Sequence, residues 1–144
     1  MDNFLGTWKM TSSEGFDRVM ARLGVDFLTR KAGNAAKPVI KLSEVEDGGD
    51  SKTYCLKTIS GFRSSEVRFR LQEPFLETTL DGRKVKTVIS LEKDEANGRW
   101  ILRQCQVGDK VTDIDRCLDD IDLMRSTIRV DELVSVRMYR RQKS

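Results

Sequence analysis

Apolar and polar positions follow two different rhythms along this chain. Between residues 12 and 37 the spacing is helical. Phe16, Val19, Met20 and Leu23 recur at i, i+3, i+4 and i+7, the signature of one apolar helix face. Ser12, Ser13 and Glu14 stand where a helix start calls for capping oxygens and negative charge, and Gly24 is a natural stop. Asp26 predicts the cap of a second short helix through "FLTRKAGNAA", closing at Gly33–Asn34 or at Pro38. The pair is a helix–turn–helix in outline. Its second helix offers Arg30 and Lys31 but no array of Asn, Gln or Ser to read base edges.

The remainder alternates with a period of two. "RKVKTVISL" (83–91) puts Val85, Thr87, Ile89 and Leu91 on one face, with Lys84 and Lys86 on the other. "EVRFRL" (66–71) sets Val67, Phe69 and Leu71 against Glu66, Arg68 and Arg70. Turn signals punctuate these runs: "DGGD" at 47–50, "DG" at 81–82, "NG" at 97–98, "GD" at 108–109 and "DD" at 119–120. With the segment "FLGTWKM" (4–10), about ten strands are predicted, all joined by tight turns. Such an up-and-down sheet has two edges to hide, and closure into a barrel hides them. A barrel of this size encloses more space than short side chains fill, so it has room for a ligand.

The final strand, "ELVSVRMYRR" (132–141), leaves one question open. Val134, Val136 and Met138 share one parity; Leu133, Ser135, Arg137 and Tyr139 share the other. Facing the apolar set inward would make Arg137 an ordinary surface residue; the reverse would place a guanidinium and a phenol inside. On the preceding strand, "LMRSTIRV" (123–130), Arg125 and Arg129 are most cheaply solvated, which turns Ser126, Ile128 and Val130 inward. Alternation alone does not choose for Arg137.

Composition narrows the functional classes. The 144 residues suit one domain with a core of its own. A net charge of +3 is too mild to imply a nucleic-acid partner. Aromatics such as Phe69 sit on apolar-parity positions rather than between basic residues on a sheet face, which also argues against one. Histidine is absent, removing the commonest general base and the Ser-His-Asp and Cys-His nucleophile arrangements. Cys55, Cys105 and Cys117 are odd in number and widely spaced, as for free thiols in a reducing compartment, and no zinc-type cluster occurs. "MDNFLGTWKM" lacks the basic start and apolar run of a secretory signal, so an intracellular protein is expected. A non-enzyme without metal or cofactor follows.

Three blocks carry a resemblance to a known family. "FLGTWKM…SEGFDRVMARLGVDFLTRKAGNAAKP", "ETTLDGRKVKTVISL" and the closing "VRMYRR" are similar to the intracellular lipid-binding proteins, specifically the heart- and adipocyte-type fatty acid-binding branch, over nearly the whole chain. The resemblance implies an all-β fold, a ten-stranded antiparallel up-and-down clamshell barrel of the lipocalin-like superfamily. Two helices, about residues 15–36, would form its lid, in a single domain 1–144. It implies a cytoplasmic, monomeric carrier holding a long-chain fatty acid. By the same resemblance, Arg116 in "DIDRCLDD" together with Arg137 and Tyr139 holds the carboxylate. Asp115 and Cys117 depart from the usual neighbours of that arginine. Phe16 and Met20 match lid residues that touch the acyl chain, Phe62 matches a portal aromatic, and Asp81 and Arg83 match polar wall positions. Val19 stands where relatives often carry tyrosine. The alternative on the same fold is a carrier of retinoic acid or another hydrophobic acid.

A fatty acid makes two demands. Its tail of roughly 15 methylenes, at about 0.8 kcal/mol each, offers on the order of 10 kcal/mol before association costs. Its head must be paired, because an isolated buried carboxylate costs several kcal/mol. Arginine meets that demand with a planar, permanently charged fork, and tyrosine adds a neutral donor. Transient contact with anionic membranes is expected from Arg18, Arg22, Arg30, Lys31 and Lys37 in the helical segment, and the Arg30–Lys31 pair resembles a nuclear-entry signal of some relatives.

Overall fold

A computed structural model describes residues 1–46 and 49–143. A 3₁₀ turn at Asp2–Phe4 leads into β1 (Gly6–Glu14), then helices α1 (Phe16–Arg22) and α2 (Phe27–Ala35). Nine strands follow: β2 (Val39–Val45), β3 (Thr53–Ser60), β4 (Arg63–Phe69), β5 (Phe75–Thr78), β6 (Lys84–Lys93), β7 (Trp100–Val107), β8 (Val111–Asp120), β9 (Leu123–Val130) and β10 (Leu133–Arg141). All pair antiparallel in one sheet, in the order β4-β3-β2-β1-β10-β9-β8-β7-β6-β5. β1 therefore seals against the last strand, and β4 and β5 are left as two edges facing one another across the only unpaired seam of the described sheet. The result is an all-β, nearly closed clamshell barrel with a helical lid.

The expected patterns hold in β6 and β9. Val85, Thr87 and Ile89 are buried while Lys84 and Lys86 are exposed, and Arg125 and Arg129 face water over buried Ser126 and Val130. Gly82 and Gly98 occupy the turns expected of them, both at positive φ. Asp119 and Asp120 instead belong to the end of β8, and the chain reverses at Ile121–Asp122. Asp47 and Gly48, half of the turn signal at 47–50, lie outside the described residues.

The start of α1 differs from expectation. β1 continues through Ser12, Ser13 and Glu14, where the ladder with β10 keeps the backbone extended, so none of these caps the helix. Gly15 is the N-cap, at φ 74°, and a Cβ there would lie 2.5 Å from the Val134 carbonyl oxygen. Only glycine fits both the left-handed turn and that close approach. Asp26 caps α2 as predicted: its carboxylate accepts from the Thr29 amide at 2.8 Å. α2 runs through Gly33 and Asn34 and stops at Ala36, two residues before Pro38.

The dense core fills the barrel end away from the lid. Trp8 is fully buried there with Phe4, Ile40, Leu42, Phe69, Ile89, Leu102 and Met124, and its indole N–H donates to the Phe4 carbonyl at 2.9 Å. Arg141 lies 4.2 Å over the Trp8 ring and donates to the Asn3, Leu5 and Ile121 carbonyls, tying both chain ends to the turn after β8. Apolar packing thus occupies one half of the barrel and leaves the lid half hollow.

Candidate ligand-binding site

The hollow is a cavity of about 500 Å³, within the range of small-molecule sites. Phe16, Val19 and Met20 of α1 roof it, and Ile40, Leu56 and Val67 supply apolar wall. Its mouth lies between α2 and the turns after β3 and β5. Phe62 stands fully exposed on the first of these turns, at the cavity rim. Asp81 and Arg83 line the second, but they satisfy one another: Arg83 Nε donates to Asp81 Oδ2 at 2.7 Å, and Thr79 Oγ1 donates to Asp81 Oδ1 at 2.8 Å. α2 buries no residue and leaves Phe27 and Leu28 exposed beside this opening.

The parity question has a clear answer. Ser135, Arg137 and Tyr139 point inward and are buried, while Val134 is about half exposed on the outer face. Register explains how two arginines meet. Arg116 of β8 pairs with Ser126 of β9, and Ser126 pairs with Arg137 of β10. The arginines therefore flank one small hydroxyl, two strand spacings apart, roughly 10 Å between backbones. Long side chains converge over the space that serine leaves. Tyr139, two residues beyond Arg137, shares the face.

Arg116 and Arg137 are each 6% exposed. Arg116 Nη1 donates to Gln104 Oε1 at 2.9 Å, while its Nε has no partner among the described residues. Arg137 Nε donates to Ser13 Oγ at 3.0 Å, and its guanidinium carbon sits 3.5 Å from the centre of the Phe16 ring. The lid thus rests on one of the two cations, a cation–π contact that a desolvated site strengthens. Burial pushes the pKa of both arginines down from the ordinary value, opposed by the Tyr139 oxygen. Burial raises the Tyr139 pKa, against the pull of both arginines. Tyr139 is therefore a neutral donor at physiological pH. A buried cation with an unpartnered nitrogen, as at Arg116, favours an incoming anion.

Asp115 and Cys117, the unusual neighbours of Arg116, face outward. Asp115 accepts from Arg103 at 2.8 Å and from Arg129 at 3.0 Å, and Arg103 also pairs with Glu92, so one ion ladder crosses β6 to β9 on the outer face. Their parity fixes Arg116 inward.

Sequence reasoning missed a second polar group in the cavity. Glu77 of β5 is 8% exposed, and its Oε1 accepts from Thr87 Oγ1 at 2.8 Å, Gln104 Nε2 at 3.0 Å and Gln106 Nε2 at 3.1 Å. The signal was available: in "WILRQCQV" both glutamines share the parity of Leu102, and Glu77 shares that of Phe75. Polar side chains on an inward parity mark a lined cavity rather than a packed core.

Residues 5–142 match the lipocalin / cytosolic fatty-acid binding protein family. The chain belongs to this family. It is 46% identical over 142 residues to fatty acid-binding protein homolog 2 of Echinococcus granulosus, covering 98% of each chain. It is 45% identical over 141 residues to the adipocyte fatty acid-binding protein of Pygoscelis papua, covering 97% of this chain and 98% of that protein. Among solved structures, fatty-acid-binding protein 1 of E. granulosus superposes with a TM-score of 0.85 at 42% identity, over 99% of this chain and 100% of that one. A Schistosoma mansoni fatty acid binding protein in complex with arachidonic acid superposes with a TM-score of 0.84 at 33% identity, over 99% and 98%.

Proposed function

We propose that this protein is a non-catalytic intracellular carrier of a long-chain fatty acid, whose carboxylate is received by Arg116, Arg137 and Tyr139. The observation that carries the proposal is a pair of buried arginines converging across Ser126 in an otherwise largely apolar chamber, one with a free Nε. The S. mansoni relative solved with arachidonic acid supports the ligand class. Phe16 and Met20 bear on the tail, and Phe62, Asp81 and Arg83 flank the route in. The tail supplies most of the affinity and the arginines supply the choice of an acid over an alcohol, because retinol would leave two buried cations unpaired.

Displacement of a fluorescent fatty acid probe tests this. Oleate is expected to compete strongly, retinoic acid weakly and retinol least. Replacing Arg116 and Arg137 together by leucine is expected to weaken oleate by about 100-fold or more, from the loss of two charge-assisted contacts at roughly 1.5–3 kcal/mol each. Oleate binding untouched by the double change would remove the proposal. Exposed Phe27 and Leu28, with Arg30 and Lys31 on the same helix, support delivery by contact with anionic membranes. Transfer rates to liposomes should then rise with anionic lipid and fall with salt.

A further inference from the structure

The cavity contains a buried carboxylate linked to one of its two arginines. Three donors from two neighbouring strands, β6 and β7, converge on a single oxygen of Glu77, the arrangement of an ionised acceptor. One of those donors, Gln104, turns its other end to Arg116. A continuous relay therefore runs from the anion through the Gln104 amide to the cation, and Arg116 feels the Glu77 charge.

The remaining charges facing the chamber are few. Asp81 and Arg83 at the mouth are bonded to each other, and Arg63 stands exposed at the rim. Among the described residues, the buried interior thus holds two cations and one anion, an excess of one positive charge.

We infer that Glu77 is a specificity-determining residue that matches the cavity to singly charged head groups and excludes doubly charged ones. This rests on the carrier reading above. A monoanionic head neutralises the interior. A dianionic head, such as a phosphate monoester, brings a second negative charge into a low-dielectric chamber already occupied by Glu77, where like charges repel strongly. Rejecting that ligand by an unpaired like charge is specificity by repulsion as well as attraction. Glu77 also holds Gln104 with its carbonyl toward Arg116, which leaves that arginine only partly satisfied and open to the ligand.

Hexadecyl sulfate and hexadecyl phosphate share a tail and a tetrahedral head, and near pH 8 they differ by about one charge. Displacement of anilinonaphthalene sulfonate by each, and by oleate, reads the inference. The wild-type protein is expected to favour the sulfate by more than about tenfold, and Glu77→Gln to bring the two within about threefold. An unchanged ratio in Glu77→Gln overturns the inference. Should that variant fail to fold, the wild type decides alone. Between about pH 5.5 and pH 8 its affinity for the phosphate should fall about tenfold, as the head loses its second proton, while the sulfate stays level. The chain has no histidine to titrate across that range. A level phosphate curve overturns the inference. If oleate and the sulfate both fail to displace the probe, the carrier reading itself fails; if oleate competes but the two heads bind equally, only the role of Glu77 falls.

Discussion

At the scale of single residues, Arg116 shows how function sits against stability. Its guanidinium is buried, its Nε lacks a partner, and burial drives its pKa down. An apolar side chain of similar length would remove that desolvation, and Glu77 would keep its three donors. Ion burial costs enough that replacing whole buried ion pairs by apolar groups often leaves a fold as stable or more so, by about 1–4 kcal/mol, and loss of Arg116 alone leaves Arg137 to balance the Glu77 charge in the buried interior. Arg116→Met is therefore expected to unfold no earlier than wild type in denaturant without ligand, while losing at least tenfold in oleate affinity. The cysteines give a second residue-level expectation. Burial raises the thiol pKa of Cys55 and Cys105, with Glu66 and Asp113 adding to it, and burial raises Cys117 as well. Alkylation near pH 8 should run several-fold slower than for a free cysteine, because the thiolate is the nucleophile.

Among the elements, the lid is held unevenly. Arg22 of α1 reaches Glu132 at 2.7 Å and Asp131 at 2.9 Å in the β9–β10 turn, and Lys110 of the β7–β8 turn joins Asp131 at 3.1 Å. α2 has no buried residue and leans on α1 through Arg30 and Asn34, both bonded to Asp17. Arg22 holds the Asp131 and Glu132 carboxyls below their ordinary 3.8 and 4.5. A depressed carboxylate contributes above its unfolded pKa and loses that contribution as pH falls through the folded one. The latch should thus be whole at neutral pH, begin to weaken as pH drops past those ordinary values, and be lost below the folded ones. Amide exchange in α1, after correction for the intrinsic rate, should accelerate over that window and with added salt. Arg22→Gln should show the fast rate throughout. Gly15→Ala, which forces a Cβ against the Val134 carbonyl at positive φ, should cost more than about 1 kcal/mol of stability.

For the molecule as a whole, neighbouring strands among the described residues pair in sequence from β4 round to β5, and β4 and β5 themselves do not pair. β1, β9 and β10 are paired on both sides, and the outer ladder of Glu92, Arg103, Asp115 and Arg129 binds β6 to β9. Native-state hydrogen exchange should be slowest in β9 and β10 and fastest along the free edges of β4 and β5, because edge amides open without unfolding the barrel. Saturating oleate should raise the unfolding midpoint by mass action, by about 2.7 kcal/mol at a hundredfold excess over Kd. A midpoint indifferent to oleate would count against the chamber as a ligand site.

Much of this protein was written in local spacing. Ten strands, two short helices, the Asp26 cap and the outward Arg125 and Arg129 follow from periodicity and turn chemistry, which act between near neighbours in the chain. The closing "VRMYRR" marked Arg137 and Tyr139 only through resemblance, since alternation treats its two faces alike. What decided the inward face was closure of β1 onto β10, which fixes register with strands more than a hundred residues away. The same long-range pairing set Arg116 and Arg137 on either side of Ser126, carried the helix start from Ser12–Ser13 to Gly15, and gathered Glu77, Thr87, Gln104 and Gln106 into one cluster. Charge inside a barrel is a property of which strands meet, and no single stretch of chain contains it.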